Sequence, residues 1–111
     1  MKLILIAFLL AFSSISFAEC GRPEKPVLPD GAVSDLAAMV EGQKTAKAYV
    51  AGTEAYLECL AAEGEAAGGE EESNAEEQAA RVDAHNAAVE EMEVVAAEFN
   101  EEIREYKAKA Q

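Results

Sequence analysis

The chain has 111 residues, with 22 acidic and 9 basic side chains and a formal net charge of −13. That length allows one small domain. The acidity argues against nucleic-acid or anionic-membrane partners, because both repel it, and the single histidine leaves little material for a metal centre.

The first element is an export signal. Met1-Lys2 precedes an almost wholly apolar run from Leu3 to Leu10, and Ser16-Phe17-Ala18 puts small residues at −3 and −1 of a cleavage point. This pattern predicts a signal peptide over 1–18, cut after Ala18. The run is too short for a comfortable membrane span. Glu19 stands before Cys20 where a lipid-attachment signal needs a small residue, so no lipid anchor is expected. The expected address is therefore periplasmic or secreted, with no membrane contact after cleavage. In an oxidising compartment Cys20 and Cys59 are expected to pair. The closed loop of about 40 residues would stabilise the fold by roughly 4 kcal/mol.

Residues 19–33 read as an extended arm. Pro23, Pro26 and Pro29 recur every three residues, the pitch of a polyproline II strand, and Pro29-Asp30-Gly31 reads as a turn. The spacing fits either a PxxP ligand or an arm laid against its own protein, and the second is expected.

Residues 34–63 carry a helical pattern. Leu36, Gln43, Val50 and Leu57 make one row, and Met39, Ala46, Thr53 and Leu60 a second, flanked by Val40, Tyr49 and Tyr56. Gly42 and Gly52 weaken this helix by up to ~1 kcal/mol each, which implies close packing or flexibility. Cys59 lies on another face with Ala48, Gly52, Ala55 and Ala62. The arm is expected to run antiparallel along this row of small residues until Cys20 reaches Cys59. The lengths agree, at ~37 Å of helix against ~40 Å of extended chain.

Residues 64–72 are an acidic, glycine-rich hinge that returns the chain antiparallel. Residues 73–110 form the longest helix. Ala75, Val82, Val89, Ala96, Ile103 and Ala110 recur in sevens, as do Gln78, His85, Met92, Phe99 and Tyr106, and Ala88 and Val95 widen the stripe. Ser73 and Glu76 form a capping box. The expected fold is all-α: an antiparallel, coiled-coil-like two-helix hairpin with an extended N-terminal arm.

Chemistry is sparse. His85, if on the seam, comes near Tyr49 and Tyr56, and such a group could bind a metal or small ligand, although a lone seam histidine usually sets register. The acidic hinge, including Glu63, Glu65, Glu70 to Glu72, Glu76 and Glu77, could attract cations but lacks the alternating ligands of a calcium loop. No nucleophile, phosphate-loop or metalloprotease motif appears. The expectation is a protein that is not an enzyme, with no cofactor, no catalytic residue and no specific metal site. Phe99, Ile103 and Tyr106 at the far end of the long helix are expected to pack within the hairpin on Leu36, Met39 and the root of the arm; the alternative is that, with Met92, they stay partly open and meet a partner, a protein or a second copy.

The motifs Cys20-x-x-Pro23-x-x-Pro26-x-x-Pro29-Asp30-Gly31, Gly42-Gln43-Lys44-x-x-Lys47-x-Tyr49, Tyr56-Leu57-x-Cys59-Leu60 and the run from His85-Asn86 to Tyr106-Lys107 resemble those of small exported proteins of Gram-negative bacteria that have no assigned activity. The resemblance implies the periplasm as the address and transfers no catalytic role.

Overall fold

The computed structural model describes residues 20–66 and 75–109. The expected signal peptide, the centre of the hinge and Ser73 lie outside them. Among the described residues the chain is all-helical, without a strand. An extended arm leads into α1, Leu36–Ala66, and α2 spans Ala75–Lys109. Met39 shares a groove with Ile103, Tyr49 bonds to Glu91, and Gly64 lies against Arg81. The two helices therefore form an antiparallel hairpin.

The start of α1 is fixed by two aspartates in succession. The Asp30 carboxylate accepts the Ala32 amide at 2.9 Å, and its carbonyl accepts Ser34 N at 2.9 Å, which closes the turn after the prolines. Asp35 then caps the helix, its Oδ1 accepting the Ala38 amide at 2.8 Å. The helix thus begins at Leu36 rather than at 34. It also continues through Gly64 to Ala66, because Glu63, Glu65 and Ala66 are good helix formers and the Arg81 side chain packs over the glycine. In α2, Glu76 and Glu77 sit in the first turn and Lys107 and Lys109 in the last, each matching the helix dipole. Lys109 also donates to the Ser34 carbonyl and lies 5.0 Å from the Tyr106 ring centre, tying the end of α2 to the root of α1.

The arm lies in the groove between the helices, antiparallel to α1 and parallel to α2. Along α1, Pro29 rests on Gly42 and Pro23 on Gly52, and Cys20 meets Cys59 at disulfide distance, with Cα atoms 5.6 Å apart. Along α2, Arg22 pairs with Glu91 at 3.2 Å, Lys25 with Glu98 at 3.1 Å, and the Gly31 amide donates to Glu102 at 2.6 Å. Both ion pairs are substantially exposed, so each contributes on the order of 0.2–1 kcal/mol. The arm therefore touches both helices, not α1 alone.

This third component turns the core away from the expected seam. The buried side chains are Met39, Tyr49 and Thr53 of α1 with Ala88, Val95 and Phe99 of α2. Ala88 and Val95, expected only to widen the stripe, are its centre. Val82, Ala96 and His85, expected on the seam, are exposed, as are Leu36 and Gln43. The reason is geometric. Each helix carries apolar residues over a wider arc than one partner helix can cover, and the arm claims one edge of that arc.

Two glycines are required by close approach. A Cβ on Gly42 would stand 2.5 and 2.6 Å from the Pro29 ring carbons and 3.2 Å from Phe99 Cε2, and one on Gly31 would overlap the Glu102 carbonyl. Gly42→Ala would ordinarily improve a helix by up to ~1 kcal/mol. Here the overlap should reverse the sign and destabilise by about 1–3 kcal/mol in urea unfolding; a net gain would show that the arm is not packed. Denatured, unreduced protein should present no reactive thiol, and reduction should lower stability by roughly 4 kcal/mol.

Candidate functional site

The hairpin has two flanks of different character, one closed by the arm and one open. On the closed flank, position 49 of α1 and position 91 of α2 bring a tyrosine and a glutamate together under Arg22. The Tyr49 hydroxyl donates to Glu91 Oε1 at 2.7 Å, while Arg22 holds Oε2 and also donates to the Ala87 carbonyl at 3.3 Å. Thr53 donates back to the Tyr49 carbonyl at 2.9 Å. Burial pushes the Tyr49 phenol above its usual pKa, and the hydrogen bond to Glu91 and its negative charge add to that. The cluster is self-satisfied and fastens arm, α1 and α2 at one point.

A second carboxylate group lies where the arm meets α2. Asp30, Glu102 and Glu105 bring one oxygen each within 4.8 Å of one another. The Glu102 charge is the main cause of a raised Glu105 pKa. Glu102 also accepts the Gly31 amide, and that hydrogen bond ties the turn after Pro29 to α2.

The ligand-binding trio does not assemble as expected. Tyr49 is buried and bonded to Glu91, Tyr56 is half-buried, and His85 is exposed with its Nδ1 3.4 Å from Asn86 Oδ1. Of the acidic hinge, Glu63, Glu65, Glu76 and Glu77 are described, and Glu70 to Glu72 lie outside the described residues.

The open flank is different. A groove of about 350 Å³ runs between the helices, walled by Ala46, Val50, Val95, Ala96 and Phe99, with Lys47 and Glu54 on its rim. A smaller groove continues it past Val40, Gln43 and Ile103. Along these grooves Val40 is 43 % exposed, and Ala96 is exposed. This is a contiguous apolar strip rather than scattered side chains. The residues expected to meet a partner divide between the flank and the core. Phe99 is only 8 % exposed and forms the floor between Gly42 and the groove, while Met92, Ile103 and Tyr106 are half-buried. Val50 and Ala96, read as seam residues, belong to the groove wall. Their signal in the sequence was the surplus of apolar rows over what two helices can cover.

The chain matches no protein-family profile, no curated protein and no solved structure. Among the described residues no helix is long and apolar enough to cross a membrane.

The raised Tyr49 pKa gives a signed pH dependence. The folded chain holds the phenol proton more tightly than the unfolded chain, so this stabilisation is complete below pH 10 and is lost as pH rises through the folded value. Tyr49→Phe should flatten the fall in stability above pH 10. At neutral pH it should cost about 1–3 kcal/mol in chemical unfolding, because Glu91 loses a donor. An unchanged alkaline slope would remove Tyr49 from this role.

Proposed function

We propose that this chain is an exported, non-enzymatic interaction module that offers the open flank of its hairpin to another helical protein surface. The observation that carries this reading is the strip itself: an arm seals one flank, while the other keeps a groove with exposed valine and alanine at its edge. Its walls are mostly packing surface, with Lys47 and Glu54 as the charged side chains that line it. A helix from a partner would lay an apolar ridge into this groove, as amphipathic helices do in hydrophobic grooves.

The reading is periplasmic. The apolar leader with its small-residue cleavage point supports export, and the cysteine pair at disulfide distance is compatible with an oxidising compartment. The net charge of −13 supports a protein partner over nucleic acid or an anionic lipid surface.

A photo-crosslinking residue placed at Ala96, in the full chain within intact Gram-negative cells, tests the surface. A covalent adduct to a discrete protein species, of this chain or another, is expected at Ala96. None is expected from Ala48, which lies on another face of α1. Equal labelling at both positions, or no protein adduct at Ala96, would reject the flank as an interface.

A further inference from the structure

We propose that the dithiol form of this chain binds one zinc ion through Cys20, Cys59 and Glu63. The two cysteines that close the arm onto α1 have a third donor within reach. Cys59 and Glu63 are four residues apart on α1, so their side chains stand one turn apart on one face of the helix. The arm brings Cys20 to that same face, from 39 residues away in sequence. Both sulfurs and one Glu63 oxygen lie within 4.8 Å of one another. The group at Asp30, Glu102 and Glu105 offers hard oxygen alone. Here two soft donors and one hard donor converge from two separate segments.

Zinc suits this mixture. It binds thiolate sulfur at about 2.3 Å and carboxylate oxygen at about 2.0–2.2 Å, so tetrahedral ligands stand roughly 3.6–3.8 Å from one another. The cysteine Cα atoms are 5.6 Å apart, and side-chain rotation is enough to open the sulfurs to that spacing. Calcium and magnesium take six or more oxygen ligands, and one carboxylate does not supply them. Copper(I) is satisfied by soft sulfur and makes no use of Glu63. The chain has two cysteines and both belong to this group. All three residues are half-buried, so water reaches the fourth coordination position.

Zinc and the disulfide are alternative clasps at one place. A chain is synthesised with free thiols. When zinc binds, two S–H bonds break, two Zn–S bonds form and two protons pass to solvent, with no electron moved. Disulfide formation instead passes two electrons to an external oxidant and releases the ion. Either clasp ties Cys20 to Cys59 and keeps Pro23 on Gly52 and Arg22 on Glu91. The start of the arm has need of one. Among the described residues, no backbone amide before Gly31 donates to either helix, so side chains and the clasp hold that segment.

Zinc titration of the chain lacking its expected leader, against a chromophoric chelator, tests the proposal. A phosphine reductant keeps the thiols free without competing for the metal. The reduced chain should bind one zinc with Kd below about 1 μM, and zinc should raise its unfolding midpoint. Cobalt(II) in the same site should show tetrahedral absorption with a thiolate charge-transfer band. Cys59→Ser should abolish binding, and Glu63→Gln should weaken it at least about tenfold. Glu58→Gln, at an exposed neighbour outside the group, should leave it unchanged. Circular dichroism follows the helices throughout. If the zinc-free dithiol chain loses them, the ion must restore them, since binding then supplies folding energy. Failure to restore them, no zinc bound at micromolar concentration, equal binding by the oxidised chain, or a Glu63→Gln variant that matches wild type overturns the proposal.

Discussion

Pro29 lies on Gly42 with no room for a methyl group between them, and the close packing of the arm on the hairpin depends on that contact. A proline ring against a glycine lets the arm approach the α1 backbone closely, which brings it near enough to reach α2 as well. Phe99 packs against the same glycine. Gly42 is therefore where the arm, α1 and α2 meet. At the opposite end of the arm Cys20 and Cys59 fix its start, and between them Arg22 and Lys25 reach the carboxylates of α2. A two-helix hairpin alone is a thin structure with little interior. The arm adds a third component along one edge, and between the helices Val95 and Thr53 are fully buried.

The sequence made much of this legible, for identifiable reasons. Seven-residue periodicity over two long stretches identifies two helices, because nothing else repeats apolar residues in that way. Proline every third residue identifies the arm, and the row of small residues beside Cys59 identifies its track. The rotation of the core was not legible. Periodicity reports that an arc of a helix is apolar, not which part of the arc meets which neighbour. Val82 and Ala96 obeyed the seam pattern as well as Phe99 did, yet they are exposed and Phe99 is buried. His85 was misplaced for the same reason. The signal that bears on the choice is Gly42 itself, since glycine inside a helix at a pattern-edge position marks a close approach, here by the arm.

The end of α1 illustrates a local limit. Gly64 looks like a helix stop when the sequence is read by propensity alone. A glycine costs a helix up to ~1 kcal/mol, an amount that one packed side chain can offset. Arg81 lies over Gly64 from α2, a residue far away in sequence, and no local rule would have brought it there. The start of α1 was legible in principle: Asp35 immediately before an apolar helical residue is a strong cap, and its amide-accepting geometry is seen directly.

The distribution of basic residues connects the fold to the proposed role. In so acidic a chain, each lysine or arginine has many carboxylates within reach, and its position is correspondingly informative. Arg22 and Lys25 are used within the molecule, to hold the arm down on Glu91 and Glu98. Lys47 instead lies on the rim of the open groove, with Glu54 two turns further along the same face. Charges around that flank are mixed rather than ordered: Arg104 pairs with Glu101 on its own helix at 3.5 Å and Lys44 with Glu41 at 3.9 Å, and exposed pairs within one helix are weak. The pairs made by the arm differ in kind, because each joins segments far apart in sequence and so holds a tertiary contact. The arm therefore closes one side of the hairpin by shape and charge together, and the other side keeps an apolar groove with a lysine and a glutamate on its rim.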